Sequence, residues 1–166
     1  MTSGVSDIFD QVLAEHAAMI DRIIAGMESN PACRDELRQE VALALWRAAP
    51  SWRQDCSLRT FVARVTHNVC VSHVRRAIRA PKHDQISDTV QDEAEAADDA
   101  VVRADLGRRL QVAVSRLPHG MREVATLYLD DFSAREIAET LGISEGAVFT
   151  RVTRLRDMLR KVMDPE

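Results

Sequence analysis

The sequence predicts an all-α protein made of two small helical domains joined by a flexible acidic linker. Three observations carry this. Apolar residues recur at three- and four-residue spacing through most of the chain. No run alternates with the period of two that a half-buried strand needs. Charge is also partitioned. Residues 1–80 hold 10 Lys and Arg against 9 Asp and Glu, and residues 101–166 hold 11 against 10. Residues 81–100 set Lys82 alone against Asp84, Asp88, Asp92, Glu93, Glu95, Asp98 and Asp99. The net charge of −4 therefore sits in one segment, and the overall acidity says little about either flank. The predicted division is a domain over 1–80, a linker over 81–100 and a domain over 101–166.

In the first domain, Ile8, Phe9, Val12, Leu13, His16, Met19, Ile20, Ile23 and Ile24 mark one helix. Leu37, Val41 and Leu45 mark a second, with Trp46 beside them expected in the core. Leu58, Phe61, Val62, Val65, Val69 and Val74 mark a third. Pro50 and Pro81 fall at or beyond helix ends, where proline belongs. In the second domain, Val102, Leu106, Leu110, Val114 and Leu117 form a stripe that Pro118-His119-Gly120 interrupts. Val124, Leu127 and Tyr128 continue on the next helix, which Asp130-Asp131-Phe132 closes.

The last fifty residues are the most informative. Ser133 and Glu136 have the spacing of a capping box, and Ile137, Ala138 and Leu141 give the following helix a buried side. Gly142 suits the left-handed residue that ends it. Ser144 caps the next helix, with Ile143 and Val148 placed to form a hydrophobic staple. This is a helix-turn-helix, a unit that sets its second helix in a DNA groove. On that helix Val148, Val152, Leu155, Leu159 and Val162 share one side. At about 100° per residue, Gly146, Thr150, Thr153 and Arg154 point away from it, flanked by Phe149 and Arg151. Thr150, Thr153 and Arg154 have the reach and donors to read base edges. Arg151, Arg156, Arg160 and Lys161 are candidates for phosphate contacts. A solvated basic helix in a small bundle is the plainer alternative.

Several function classes are not indicated. No stretch approaches the roughly 18 apolar residues of a membrane span, and no secretion signal opens the chain. Three cysteines, Cys33, Cys56 and Cys70, form no disulfide framework, so a reducing cytoplasm is expected. His67, Cys70 and His73 fan across about 120° of helix, which suits no tetrahedral ion. A buried Cys70 and a surface His67 are expected instead. With no phosphate-binding glycine loop or nucleophile elbow, no catalytic residue, cofactor or metal is assigned.

The C-terminal block, Leu117-Pro118 through Arg122-Glu123-Val124 and then Ser133 to Arg160, resembles region 4 of the sigma-70 family of RNA polymerase sigma factors, in its short extracytoplasmic-function group. The first domain matches independently. Asp35-Glu36-Leu37-Arg38-Gln39-Glu40 through Arg47 resembles the region 2 helix that docks on core polymerase. Trp52 to Val62 resembles the segment that melts the minus-10 element, and Arg64-Val65-Thr66-His67-Asn68 with His73-Val74-Arg75-Arg76 the helix that follows. The resemblance implies polymerase contacts at Asp35, Glu36, Gln39, Glu40 and Leu43. It implies minus-10 contacts at Arg53, Ser57, Arg59, Arg64, Asn68, Arg75 and Arg76, with Asn68 nearest a flipped nontemplate base. It implies minus-35 contacts at Glu145, Gly146, Phe149, Thr150, Arg151, Thr153 and Arg154. Two of these depart from the family's habit: Phe149 replaces a position that is often basic, and Thr153 one that often carries a ring.

The implied partners are core RNA polymerase, promoter DNA (duplex upstream, single nontemplate strand downstream) and an anti-sigma factor, without membrane insertion. The linker would thread polymerase toward its cleft or serve as a plain tether. The rival reading is a stand-alone helix-turn-helix regulator that binds duplex DNA without polymerase.

Overall fold

A computed structural model describes residues 3–80 and 98–163, and among these the secondary structure is entirely helical. Helices α1 (Ser3–Met27), α2 (Pro31–Ala48) and α3 (Leu58–Arg79) form the first unit, with a short 3-10 turn at Ala49–Ser51. Helices α4 (Asp98–Ser115), α5 (His119–Leu129), α6 (Ala134–Leu141) and α7 (Glu145–Met163) form the second. The expected linker lies outside the described residues up to 97. Its last three positions, 98–100, are already the first turn of α4.

Each boundary has a local cause. Asn30 caps α2 by accepting the Ala32 N–H at 3.0 Å, and Pro31 occupies a first-turn position that needs no donor. Ser57 caps α3 by accepting the Thr60 N–H at 3.1 Å. The α1 row Met19, Ile20, Ile23 and Ile24 packs with Leu37, Val41 and Leu45 of α2 and Phe61, Val62 and Cys70 of α3. Trp46 departs from expectation: it is 45% exposed. It lies about 100° around α2 from Leu45, so it turns off the buried row and meets Phe9 edge-on at 5.2 Å between ring centres. The α4 stripe is buried only at its end. Leu117 is in the core, while Val102 and Leu106 face solvent.

The two units share one continuous core. Val124, Leu127, Phe132, Ile137, Ala138, Val148 and Val152 join the same cluster as the α1–α3 residues, because α1 lies on α5 and α3 lies on α6. Gly26 makes this approach possible: a Cβ there would stand 2.7 Å from Thr126 Oγ1. Polar groups line the seam. The Arg22 Nε sits 2.6 Å from Asp130 Oδ1, and Arg59 donates to the Asp130 carbonyl while its guanidinium lies 4.0 Å above the Phe132 ring. Thr60 Oγ1 donates to Glu136 Oε1 at 3.4 Å.

His67 is buried rather than on the surface, because α3 is covered on that side by α5 and α6. Its Nε2 donates to Glu123 Oε1 at 2.8 Å, and His119 Nε2 approaches the same oxygen at 3.3 Å. Burial opposes ionisation of Glu123, but the His67 hydrogen bond and the charges of His67, His119 and Arg151 outweigh it. They hold the carboxyl below its ordinary range.

Gly26→Ala should push α1 from α5, and Thr126→Ala should relieve the clash. A double-mutant cycle read by small-angle scattering should show an enlarged radius in Gly26→Ala that reverts in the double variant. A carboxylate held low stabilises the seam at neutral pH, and that stabilisation is lost as pH falls through its depressed value. Acid should therefore enlarge the radius of gyration only below the usual carboxylate range, before circular dichroism reports loss of helix. Glu123→Gln should loosen the seam at neutral pH and flatten that acid response.

Candidate nucleic-acid and polymerase interface

The helix-turn-helix forms as its sequence dictates. Ser133 Oγ accepts the Glu136 N–H while Glu136 Oε2 accepts the Ser133 N–H at 2.8 Å, completing the reciprocal capping box. The same backbone hydrogen bond, aided by the Ser133 hydroxyl and opposed by partial burial, holds the Glu136 carboxyl below its usual range. Gly142 takes φ 67°, the left-handed conformation that ends α6. Ser144 Oγ accepts the Ala147 N–H at 3.1 Å at the start of α7.

Helix α7 buries Val148, Val152 and Leu155 and turns its other side outward. Glu145, Gly146, Phe149, Thr150, Thr153 and Arg154 are all exposed. Phe149 leaves 60% of its surface in solvent, beside the exposed Thr150 and Thr153. Thr150 and Thr153 donate to their own helix, to Gly146 O at 3.0 Å and Phe149 O at 2.9 Å, leaving each hydroxyl oxygen to accept. Arg151 is half-buried and donates to Gly120 O at 3.1 Å, tying α7 to the start of α5. Arg156 lies over Tyr128 and donates to its hydroxyl at 2.7 Å. Both guanidiniums keep further N–H groups.

The first unit presents two sets of residues. Along α2, Asp35, Glu36, Gln39 and Leu43 are exposed and Glu40 half-exposed, on one side of the helix at three- and four-residue spacing. Arg38 pairs with Asp35 and with Asp21, the latter at 2.5 Å. A groove of about 660 Å³ between α2 and α3 brings Glu40, Leu43 and Arg47 opposite Asn68, Ser72 and Arg76. Arg76 Nη2 pairs with Glu40 Oε2 at 2.7 Å across it. Residues expected to touch polymerase and residues expected to touch the minus-10 strand thus share one groove.

The minus-10 candidates otherwise scatter. Arg53 is exposed beside Gln54, whose φ of 60° makes a tight bend. Ser57 is spent on capping α3, Arg59 is held in the seam, and Arg64 is half-buried with Nη2 3.9 Å from Cys56 Sγ. Asn68, Arg75 and Arg76 are exposed. Sequence reading missed the seam residues Arg22, Gly26, Arg122 and Asp130. Their partners lie about 70 to 110 positions away, and no local spacing signals them. His67, Cys70 and His73 go three separate ways: to Glu123, into the core, and to Glu28 at 3.0 Å. Burial pushes the Cys70 thiol up to about 12, so it is inert at neutral pH. None of the described helices is long and apolar enough to cross a membrane.

Comparison with known proteins now has a geometry to attach to. The sequence model for Sigma-70 region 2 matches residues 12–80, and that for Sigma-70, region 4 matches residues 107–159. The chain is 26% identical over 156 residues to the ECF RNA polymerase sigma factor SigM of Mycobacterium tuberculosis, covering 93% of this chain and 76% of that one. It is 27% identical over 159 residues to the RNA polymerase sigma factor HrpL of Pseudomonas syringae, covering 93% and 86%.

Two solved structures share the fold. One is the sigma factor RpoE bound to the anti-sigma factor NepR from Bartonella quintana, with a TM-score of 0.75, 19% identity, and coverage of 93% of this chain and 96% of that one. The other is CnrH bound to the cytosolic domain of CnrY, with a TM-score of 0.68, 24% identity, and coverage of 99% and 92%. Region 2 coincides with α1–α3, and region 4 runs from within α4 through the helix-turn-helix into α7. With both regions present in order, the chain belongs to the sigma-70 family, in its extracytoplasmic-function group of RNA polymerase sigma factors.

Proposed function

We propose that the chain directs core RNA polymerase to promoters by a two-point grip, with α7 reading the minus-35 duplex and α3 with its preceding loop engaging the melted minus-10 strand. As a sigma factor it is a polymerase-binding initiation factor. The finer assignment rests on one observation: the outer face of α7 and the acidic edge of α2 both stand free in the packed arrangement. Arg154, flanked by Thr150 and Thr153, has the donors for a guanine edge, and Phe149 supplies an apolar contact for a thymine methyl. Asp35, Glu36, Gln39 and Leu43 offer polymerase a mixed acidic and apolar edge. The protein acts in the cytoplasm and performs no catalysis of its own, because strand opening draws on binding energy within the holoenzyme.

The packed arrangement is a held state. Arg59 and Thr60, at the start of the helix assigned to the minus-10 strand, are engaged by Asp130, Phe132 and Glu136 of the second unit. Polymerase binding must part α3 from α6 before that segment is free. An anti-sigma factor is the partner that would hold the chain off polymerase, a reading supported by the similar sigma factor RpoE, which is bound to the anti-sigma factor NepR.

Transcription reconstituted with core polymerase on genomic fragments tests the assignment. Promoter-specific transcripts should require both proteins, and the chain alone should bind duplex weakly. Tight specific binding without polymerase, with no binding to core, would make it a stand-alone regulator. Arg154→Ala should lower promoter affinity of the holoenzyme by roughly 10-fold, the scale of one lost base-edge contact, and leave core binding intact. Asp35→Lys with Gln39→Ala should do the reverse.

A further inference from the structure

The geometry points to a metal site: Glu28, Cys33 and His73 form a three-ligand cradle for a borderline divalent cation, Zn²⁺ by its donor set, at the corner where α1, α2 and α3 meet. The three donor atoms, a carboxylate oxygen, Sγ and an imidazole nitrogen, all lie within 4.8 Å of one another. They come from three separate places in the fold. Glu28 follows the last residue of α1, Cys33 is in the first turn of α2, and His73 is in the second half of α3. All three are partly buried, which shields the site without closing it.

The parts fit the chemistry. One oxygen, one nitrogen and one sulfur, with a fourth position left for water, is a ligand set that zinc accepts and that hard cations such as Mg²⁺ do not. Glu28 Oε2 and His73 Nε2 are already 3.0 Å apart, close to the separation of two ligands on one tetrahedral ion. Tetrahedral bonding would place sulfur about 3.5 Å from the other donors, so from a separation within 4.8 Å Cys33 need move inward by at most about 1.3 Å. Glu28 is also pre-aligned: its second oxygen, Oε1, accepts the Asn30 N–H at 2.8 Å, and its carbonyl accepts from Arg34 Nε at 2.6 Å.

When a dication binds, the thiol gives up its proton to solvent and sulfur binds as thiolate, while His73 gives up the Nε2 proton and keeps the one on Nδ1, so that the His73–Glu28 hydrogen bond is replaced by two metal bonds. The result would clip the first turn of α2 to α1 and α3, two residues before Asp35.

The test uses the full chain, reduced and freed of metal, titrated with Co²⁺ and Zn²⁺. Co²⁺ should bind with one equivalent, giving a thiolate-to-cobalt charge-transfer band and the intense visible bands of a tetrahedral ion, and Zn²⁺ should displace it. Cys33→Ser should abolish the charge-transfer band, and His73→Gln should weaken zinc at least about 10-fold. Cys56→Ser should leave both unchanged. Zinc should raise the melting temperature of the native chain and of Cys56→Ser but not of Cys33→Ser. Absence of a thiolate band in the native chain, or its survival in Cys33→Ser, would overturn the site and leave a hydrogen-bonded Glu28–His73 pair.

Discussion

Helix α3 has more surfaces to satisfy than a helix of a simple three-helix unit. Phe61, Val62 and Cys70 face α1 and α2, while Thr60 and His67, also buried, look toward α5 and α6. The rest of the molecule is arranged around this double burial. A helix covered on one side keeps a wide polar face for a ligand; one covered on two keeps a narrow strip. Here the strip holds Asn68, Arg75 and Arg76. Arg59 and Thr60, more than two turns nearer the start of the helix than Asn68, are consumed by the second unit. Any partner that needs the start of α3 must displace α6.

The seam combines apolar and polar contacts. Its apolar part is continuous with the core, yet its polar part is incompletely matched. Four buried side-chain atoms among the described residues have no hydrogen-bond partner, and three of them lie at the seam: His67 Nδ1, Arg122 Nε and Asp130 Oδ2. Each such atom costs about 1–3 kcal/mol relative to a satisfied one. A permanent domain core would be expected to satisfy them. Opening returns all three to water, so part of the loss of apolar contact is offset. Under the proposed reading, that balance suits two halves that close when idle and part when engaged.

What could be read in advance follows the range of the interactions involved. Capping at Ser133, the left-handed Gly142 and the α7 faces are set by residues within four positions of each other, and all were legible. Trp46 was misjudged because periodicity cannot say how wide a buried stripe is: α2 needs only Leu37, Val41 and Leu45 to seal its contact with α1 and α3. His67 was misjudged because its cover comes from Glu123, 56 positions away. Gly26 carries no local signal, being a glycine near a helix end. Its reason lies in Thr126, across the seam.

Exposure differs among the three candidate contact surfaces, and that difference implies an order of engagement under the proposed reading. The α2 edge needs no rearrangement to be reached, and neither does the outer face of α7. The start of α3 does. A partner that first takes the α2 edge is held beside the seam, and it shifts the seam only through further contacts that opening exposes. Duplex DNA bound at α7 alone gains nothing from opening, because its contacts are the same in both states. Differential affinity, not affinity, moves the equilibrium, so the ligand able to release α3 is one that also makes contacts the closed seam hides. Under the proposed reading, polymerase has to supply such contacts if the start of α3 is to become available on the enzyme that uses it.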